Sequence, residues 1–371
     1  MKEKIWLWYP TIMTPLFLLF FYVVKTKLYL LITLLLIGCP TGYYQDMEGQ
    51  PNCKKCPRGF YCYANSTTYI GNECPTGHYC PDGTPSPQYK PCRPGTYNPK
   101  VQGNSSLDCL PCDPGHYCAG YGNDKPTNSC SAGFYCPGGD EEAKPGATRC
   151  TPGHYCKQGS HNMTKCTPGY YCDAHELHGP AGQCDPGYYC PLGSSSRRQI
   201  ECIEGHYCPL GSPDPEACQP GYYLPGKKHE NVSECIDCIA GMFCNSSGLS
   251  YPDGPCDKGY FCPPGQSVSS PNGHPCPVGH FCIKGSPVPE RCPNGTYESN
   301  QYSYRCDECL AGYYCDNTAQ AISNLTGFEC PMGHFCPPGT SFATQHKCPT
   351  GTWSNKTQLE RADQCTECPP R

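Results

Sequence analysis

The sequence predicts an elongated tandem array of small disulfide-rich repeats, made of short β-strands and turns with little helix and preceded by an N-terminal hydrophobic helix. Three observations carry that expectation. Cysteine supplies 37 of 371 residues, alongside 43 prolines and 41 glycines, a composition that belongs to disulfide scaffolds. One phrase, Cys-x-x-Gly followed by two residues and a second cysteine, recurs thirteen times after residue 38. Beyond residue 38 no apolar run is long enough for an ordinary helix or a buried strand. Many small modules in a row therefore replace the sizeable core that a chain of this length otherwise buries.

Residues 1–38 differ in kind from the rest. An apolar run over 5–24 is interrupted by Pro10 and Pro15, and after "KTK" a second run, "LYLLITLLLI", ends at Gly38. A basic patch, a ten-residue apolar stretch and a small residue fit a cleaved secretory signal peptide. The same residues, 5–37, fit a retained membrane anchor, because the first run, or both together, can cross a bilayer. Both readings send residue 39 onward through the secretory pathway to the extracellular space or the cell surface.

The repeats then follow in order. The complete phrase opens at Cys56, Cys74, Cys112, Cys130, Cys150, Cys166, Cys184, Cys202, Cys238, Cys256, Cys276, Cys309 and Cys330. Five further copies, opening at Cys39, Cys92, Cys218, Cys292 and Cys348, lack the closing cysteine, and their second cysteine arrives late as the first member of a C-x-x-C. These delayed cysteines are Cys53, Cys109, Cys235, Cys306 and Cys365. The long copies mark expected groups at 39–91, 92–217, 218–291 and 292–347, with 348–371 as the truncated start of another. Eighteen repeats use 36 cysteines and leave Cys368 where a next repeat would open, so the chain reads as a fragment of a longer protein. A free or intermolecular thiol is the alternative.

Physical chemistry explains the phrase. The glycine suits a backbone position of positive φ, which lets the chain turn tightly enough for two cysteines to approach, and the proline often preceding it presets a turn. The aromatic residue before each closing cysteine offers one large apolar face to lay on a neighbouring repeat. A single repeat is too small to order itself; stacked neighbours are expected to support one another. Disulfide candidates in the first half are Cys39, Cys53, Cys56, Cys62, Cys74, Cys80, Cys92, Cys109, Cys112, Cys118, Cys130, Cys136, Cys150 and Cys156. Their partners stay open: a cystine can close each seven-residue loop, as Cys112 with Cys118, or bridge adjacent repeats, as Cys118 with Cys130.

Other chemistries find little support. His116 invites a metal reading, but its slot holds His78, His154, His206, His280 and His334 in sister repeats and Phe60, Phe134, Tyr170, Tyr188, Met242, Tyr260 and Tyr313 in others. A ligand position does not alternate with phenylalanine, whereas a packing position does. The C-x-x-C motifs lack the strand-then-helix setting of a redox site. No catalytic motif stands out, so no enzyme and no cofactor are expected. The formal charge is −5, and removing the four lysines and one glutamate before residue 38 leaves 23 basic against 31 acidic residues, with no basic stripe for nucleic acid. Sequons for N-glycosylation at Asn65, Asn104, Asn162, Asn231, Asn245, Asn294, Asn324 and Asn355 all lie outside the seven-residue loops.

The stretch "CRPGTYNPKVQGNSSLDCLPC" (92–112), followed by tandem CxxGxYC repeats, resembles the ephrin-receptor-like cysteine-rich repeat. That family belongs to the growth-factor-receptor cysteine-rich superfamily and is similar to tumour-necrosis-factor-receptor modules. The resemblance covers residues 39–371 and implies disulfide-bonded extracellular repeats within cell-surface or secreted multidomain proteins; it carries no binding residue over. The expected role is a non-enzymatic spacer and protein-interaction surface, facing an extracellular protein or glycan ligand. The alternative is the ligand-binding ectodomain of a membrane receptor whose transmembrane and signalling parts are not in this chain.

Overall fold

The computed structural model describes residues 23–25 and 38–369. Val23, Val24 and Lys25 are helical; the rest of the expected N-terminal helix, and the signal or anchor it would form, lies outside the described residues. From Cys39 onward the chain is a series of small two-stranded antiparallel hairpins, twelve in number, joined by turns. Helical structure in this region is confined to four single 3₁₀ turns, at Ser106–Asp108, Gly146–Thr148, Val232–Glu234 and Ala362–Gln364.

Each hairpin is built the same way. In the repeat opening at Cys112, the His116 N–H donates to the Asp113 carbonyl at 3.0 Å across Pro114 and Gly115, whose φ is +81°. Proline then glycine of positive φ inside a four-residue turn is the arrangement of a type II turn. The turn sends His116–Tyr117 back antiparallel to Asn128–Ser129, the two residues before the next cysteine, in the register His116 with Ser129 and Tyr117 with Asn128. Repeats with a single bridge keep that register, as Phe60 with Glu73 and Tyr313 with Glu329. The second strand of each hairpin is followed immediately by the opening cysteine of the next repeat.

The structure contains eighteen disulfides, and every one joins cysteines consecutive in sequence. Thirteen close the seven-residue loop, as Cys112–Cys118; the long copies close at the delayed cysteine, as Cys92–Cys109 and Cys218–Cys235. The buried interior is mostly sulfur: nearly every short-loop cysteine is fully buried, joined by few apolar side chains, among them Leu224 and Ile322. Closing a loop of this size restricts the unfolded chain by about 2 to 3 kcal/mol in the chain-entropy account, once per repeat.

Contacts divide the described chain into two compact bodies. One runs to Thr164 and includes Ala174–Gly179; the other comprises Lys165–Asp173 and Pro180 onward. Within each body successive repeats are joined by backbone hydrogen bonds of one pattern. In the first, the Gly59 N–H donates to the Cys80 carbonyl at 2.8 Å, the Cys74 N–H donates to the Gly59 carbonyl at 2.8 Å, and the Cys62 N–H donates to the Thr84 carbonyl at 3.0 Å. In the second, Gly241, Cys256 and Cys244 make the corresponding bonds to Cys262, Gly241 and Gln266. Both backbone groups of the phrase glycine and the amide of the closing cysteine are thus satisfied by the following repeat, as buried polar groups require.

The glycine also permits close approach two repeats along. A Cβ on Gly241 would stand 2.4 Å from the Gly285 carbonyl oxygen, on a backbone whose φ is +82°. Only glycine meets both conditions.

Candidate functional site

No single cleft dominates the described surface, so the candidate site is the face that the repeat presents again and again. The histidine slot shows how that face is set. His78, His206 and His280 each place Nδ1 about 3 Å from the carbonyl two residues earlier, at 3.0, 2.9 and 3.0 Å respectively. A carbonyl only accepts, so Nδ1 donates, and the ring staples its own turn. Phenylalanine or tyrosine in the same slot packs instead: Tyr260 meets Tyr302 edge-on at 5.3 Å, from a spacer two repeats later.

The aromatic residue before the closing cysteine behaves differently from the expectation that it lies on a neighbour. Phe261 packs on His274, Tyr314 on Phe328 and Phe335 on His346, all within the same repeat. Each partner stands two residues before the next opening cysteine, opposite the aromatic in the hairpin, where cross-strand side chains meet. Where the closing cysteine is missing, the second slot does reach the next repeat: Tyr44 meets Tyr69 edge-on at 5.2 Å and the Tyr97 hydroxyl donates to Asp113 Oδ1 at 3.2 Å.

Two features escape a reading by phrase. In three of the five copies that lack the closing cysteine, Asn98, Leu224 and Glu298 take its place and are all but fully buried, whereas Gln45 and Ser354 in the other two are half-buried. The carbonyls of Asn98, Leu224 and Glu298 accept from Gly77, Gly205 and Gly279, as a closing cysteine's would, each at 2.8 Å. Asn98 Nδ2 donates to the His78 carbonyl at 2.9 Å, which settles the polar side chain. The spacers also contain a second positive-φ position three or four residues after most closing cysteines, glycine at Gly83, Gly211 and Gly285 but Glu176 after Cys172, and the same position recurs at Gln102, Lys228 and Tyr302 after the stand-ins Asn98, Leu224 and Glu298. The signal for it is present in "CPDGT", "CPLGS" (twice), "CIKGS" and "CPPGT", whose final hydroxyl residues Thr84, Ser194, Ser212, Ser286 and Thr340 are buried.

All eight sequon asparagines are exposed. The sulfurs of Cys39 to Cys156 are joined in pairs, and Cys368 is unpaired and exposed among the described residues. The Cys368 N–H nevertheless donates to the Gly351 carbonyl at 2.9 Å, as the opening cysteine of a repeat does.

Two charged clusters ornament the second body. Arg198 and Arg197 reach Asp185 at 2.9 and 3.6 Å, and Lys228 reaches Glu201 at 2.8 Å, with Arg198 and Lys228 both lying over the Tyr188 ring. Nearby, His229 places Nδ1 2.6 Å from Glu234 Oε2 and Nε2 2.8 Å from the Pro225 carbonyl. Both partners accept, so the ring satisfies both only as imidazolium. Burial pulls His229 down, the hydrogen bonds to Glu234 and Pro225 outweigh it, and the group ends above its ordinary value. Glu234 is held below its ordinary value, chiefly by the His229 bond.

A scan against protein-family models gives no match, and a search of curated proteins gives none.

Proposed function

We propose that this chain is a non-enzymatic structural array of the extracellular space or cell surface, a spacer whose exposed repeat faces serve protein or glycan partners. The disulfide-rich, helix-poor fold fits an extracellular cysteine-rich repeat protein, because cystines in this number persist only where the surroundings oxidise. The observation that carries the proposal is the pairing of every cystine between consecutive cysteines. Each repeat is locked by its own bond and handed to the next by the same backbone hydrogen bonds, an organisation suited to holding distance and displaying a surface. The ephrin-receptor-like resemblance points the same way. Export brings the eight exposed sequons into the compartment where N-glycans are added.

Expression of the chain in eukaryotic cells tests this. The proposal expects it in the medium or on the cell surface, with 36 thiols blocked. It also expects that excising two whole repeats, residues 184–217, leaves export and the remaining cystines intact, since the junction restores the same repeat-to-repeat bonds. Retention of the parent chain in the cytosol with free thiols would overturn it.

A further inference from the structure

We infer that the chain's own N-linked glycans at Asn104, Asn231 and Asn294 are seated, their first sugar ring lodged in a recess that recurs in the long repeats. The inference rests on the exported, glycosylated reading above and deepens it. Three recesses of ~280, ~340 and ~240 Å³ occur at corresponding places. Each is lined by the residue after the opening cysteine (Arg93, Gln219, Pro293), by the first slot of the phrase (Thr96, Tyr222, Thr296) and by the delayed cysteine (Cys109, Cys235, Cys306).

The sequons converge on these recesses. The hydroxyl residue of Asn104-Ser105-Ser106 lines the first, that of Asn231-Val232-Ser233 the second and that of Asn294-Gly295-Thr296 the third. Two of these sequons lie just before the delayed cysteine, whereas the third lies just after the opening one. The same recess is thus approached from both ends of the loop. Asn104 itself lines a separate recess of ~210 Å³ with Val101, Leu107 and Leu110.

The dimensions and chemistry suit a sugar. The volumes bracket the ~300 Å³ at which small-molecule sites begin, which is room for one sugar ring. Each recess has an aromatic wall, Tyr79 in the first, Tyr222 in the second, Phe281 and Tyr304 in the third, which can cover the apolar C–H face of a pyranose. The hydroxyls of Thr96 and Thr296 donate to the Arg93 and Pro293 carbonyls at 2.7 Å and that of Ser233 to Asn231 Oδ1, so their oxygens accept from the sugar, while the Ser106 hydroxyl and the guanidinium groups of Arg93 and Arg305 donate to it. The amide oxygens are already engaged: Asn294 Oδ1 accepts from the Asn317 N–H at 2.8 Å and Asn231 Oδ1 from the Ser233 N–H at 3.2 Å. These bonds orient the amide without using the nitrogen that carries the sugar. Attachment joins that nitrogen to the anomeric carbon of a lipid-linked oligosaccharide donor, breaks the donor's anomeric carbon–phosphate bond, and releases one amide proton.

The test uses the full chain secreted from eukaryotic cells. Glycopeptide mass spectrometry first reports occupancy; no sugar on any of the eight sequons overturns the export reading together with this inference. Occupancy at Asn162 and Asn245 but not at Asn104, Asn231 and Asn294 overturns the seat alone. On the occupied protein, peptide N-glycosidase is applied to the folded chain and release is followed site by site. Seated glycans are expected to leave about tenfold more slowly than those at Asn162 and Asn245, which corresponds to ~1.4 kcal/mol, and the difference should vanish after reduction and denaturation. Tyr222→Ala should bring Asn231 to the rate of Asn245 while Tyr222→Phe keeps it slow. Equal rates at all five sites in the folded protein would overturn the inference.

Discussion

Alanine at Gly241 tests the joint between repeats directly. The substitution places a methyl group on a backbone of φ +82° and 2.4 Å from the Gly285 carbonyl oxygen. The left-handed conformation alone costs an L-residue about 1 to 2 kcal/mol. Relieving the close approach moves the backbone that donates to the Cys262 carbonyl at 2.8 Å and accepts from the Cys256 N–H at 3.0 Å, and each weakened bond adds about 1 kcal/mol. Local stability should therefore fall by about 3 kcal/mol, close to a hundredfold or more in the opening equilibrium. Gly327 is the control: its φ is +87°, yet a Cβ there meets nothing within 4 Å, so Gly327→Ala suffers only the conformational cost. Hydrogen exchange of the fully oxidised chain, read at the amides of residues 241 and 256 for one variant and near residue 327 for the other, separates the two. Equal acceleration would refute the argument that glycine is required for close approach as well as for its φ.

Other outcomes follow from the same geometry. Under limiting reductant, Cys92–Cys109, Cys218–Cys235 and Cys292–Cys306 should open before the short-loop cystines, because Cys109, Cys235 and Cys306 are half-buried while both members of a pair such as Cys202–Cys208 are fully buried and exchange needs access to sulfur; alkylation and peptide mapping read the order. Gln102→Gly and Glu176→Gly should stabilise their spacers by about 0.5 to 1 kcal/mol, since both residues hold φ near +60° and glycine relieves that strain at some entropic cost; slower local exchange checks it. The His229–Glu234 pair should hold the Glu230 and Asn231 amides, which donate to Glu234 Oε1 at 2.8 and 3.1 Å, within a pH window. The His229 contribution is complete below the ordinary histidine value and is lost as pH rises through its raised folded value; that of Glu234 is present above the ordinary carboxylate value and lost as pH falls through its lowered one. Exchange rates of the two amides corrected for intrinsic pH dependence should show that window, and His229→Ala should abolish its alkaline edge.

Much of the fold can be read by phrase because the phrase is the turn. Cys112 to Cys118 contains the proline, the positive-φ glycine and the hairpin residues in order, and nothing distant is needed to set them. The pairing of cystines is different. A bond from Cys118 to Cys112 or to Cys130 leaves the same sequence pattern, and only the backbone bonds Gly115 to Cys136 and Cys130 to Gly115 place the next repeat so that consecutive cysteines face each other. The stand-ins Asn98, Leu224 and Glu298 share no residue type, so the buried slot they fill becomes visible only when the carbonyls of all three are seen accepting from a preceding glycine. The spacer turn hides for a related reason: Gln102, Glu176, Lys228 and Tyr302 replace glycine at a position whose φ is enforced by the loops around it. The recesses beside the delayed cysteines require side chains far apart in the loop to meet, and the sequons gave only one edge of them.

Consecutive pairing also bears on how such a chain can be made. Every cystine closes a loop of at most eighteen residues, as in Cys92–Cys109 and Cys348–Cys365, where the sequence separation is 17, so each can form as soon as its repeat has emerged and no cysteine waits for a distant mate. Loop-closure entropy stays small, and contacts stay local. The hydrogen bonds, by contrast, reach forward: Gly59 waits for Cys80, and Gly241 for Cys262. Covalent closure can therefore precede packing, and a repeat already locked by sulfur offers the next one a pre-formed edge. A wrong pairing between neighbours would pull Gly241 or its equivalent away from the carbonyl it approaches so closely, and the glycine contact then selects the native partner by leaving the mispaired repeat without a place to dock.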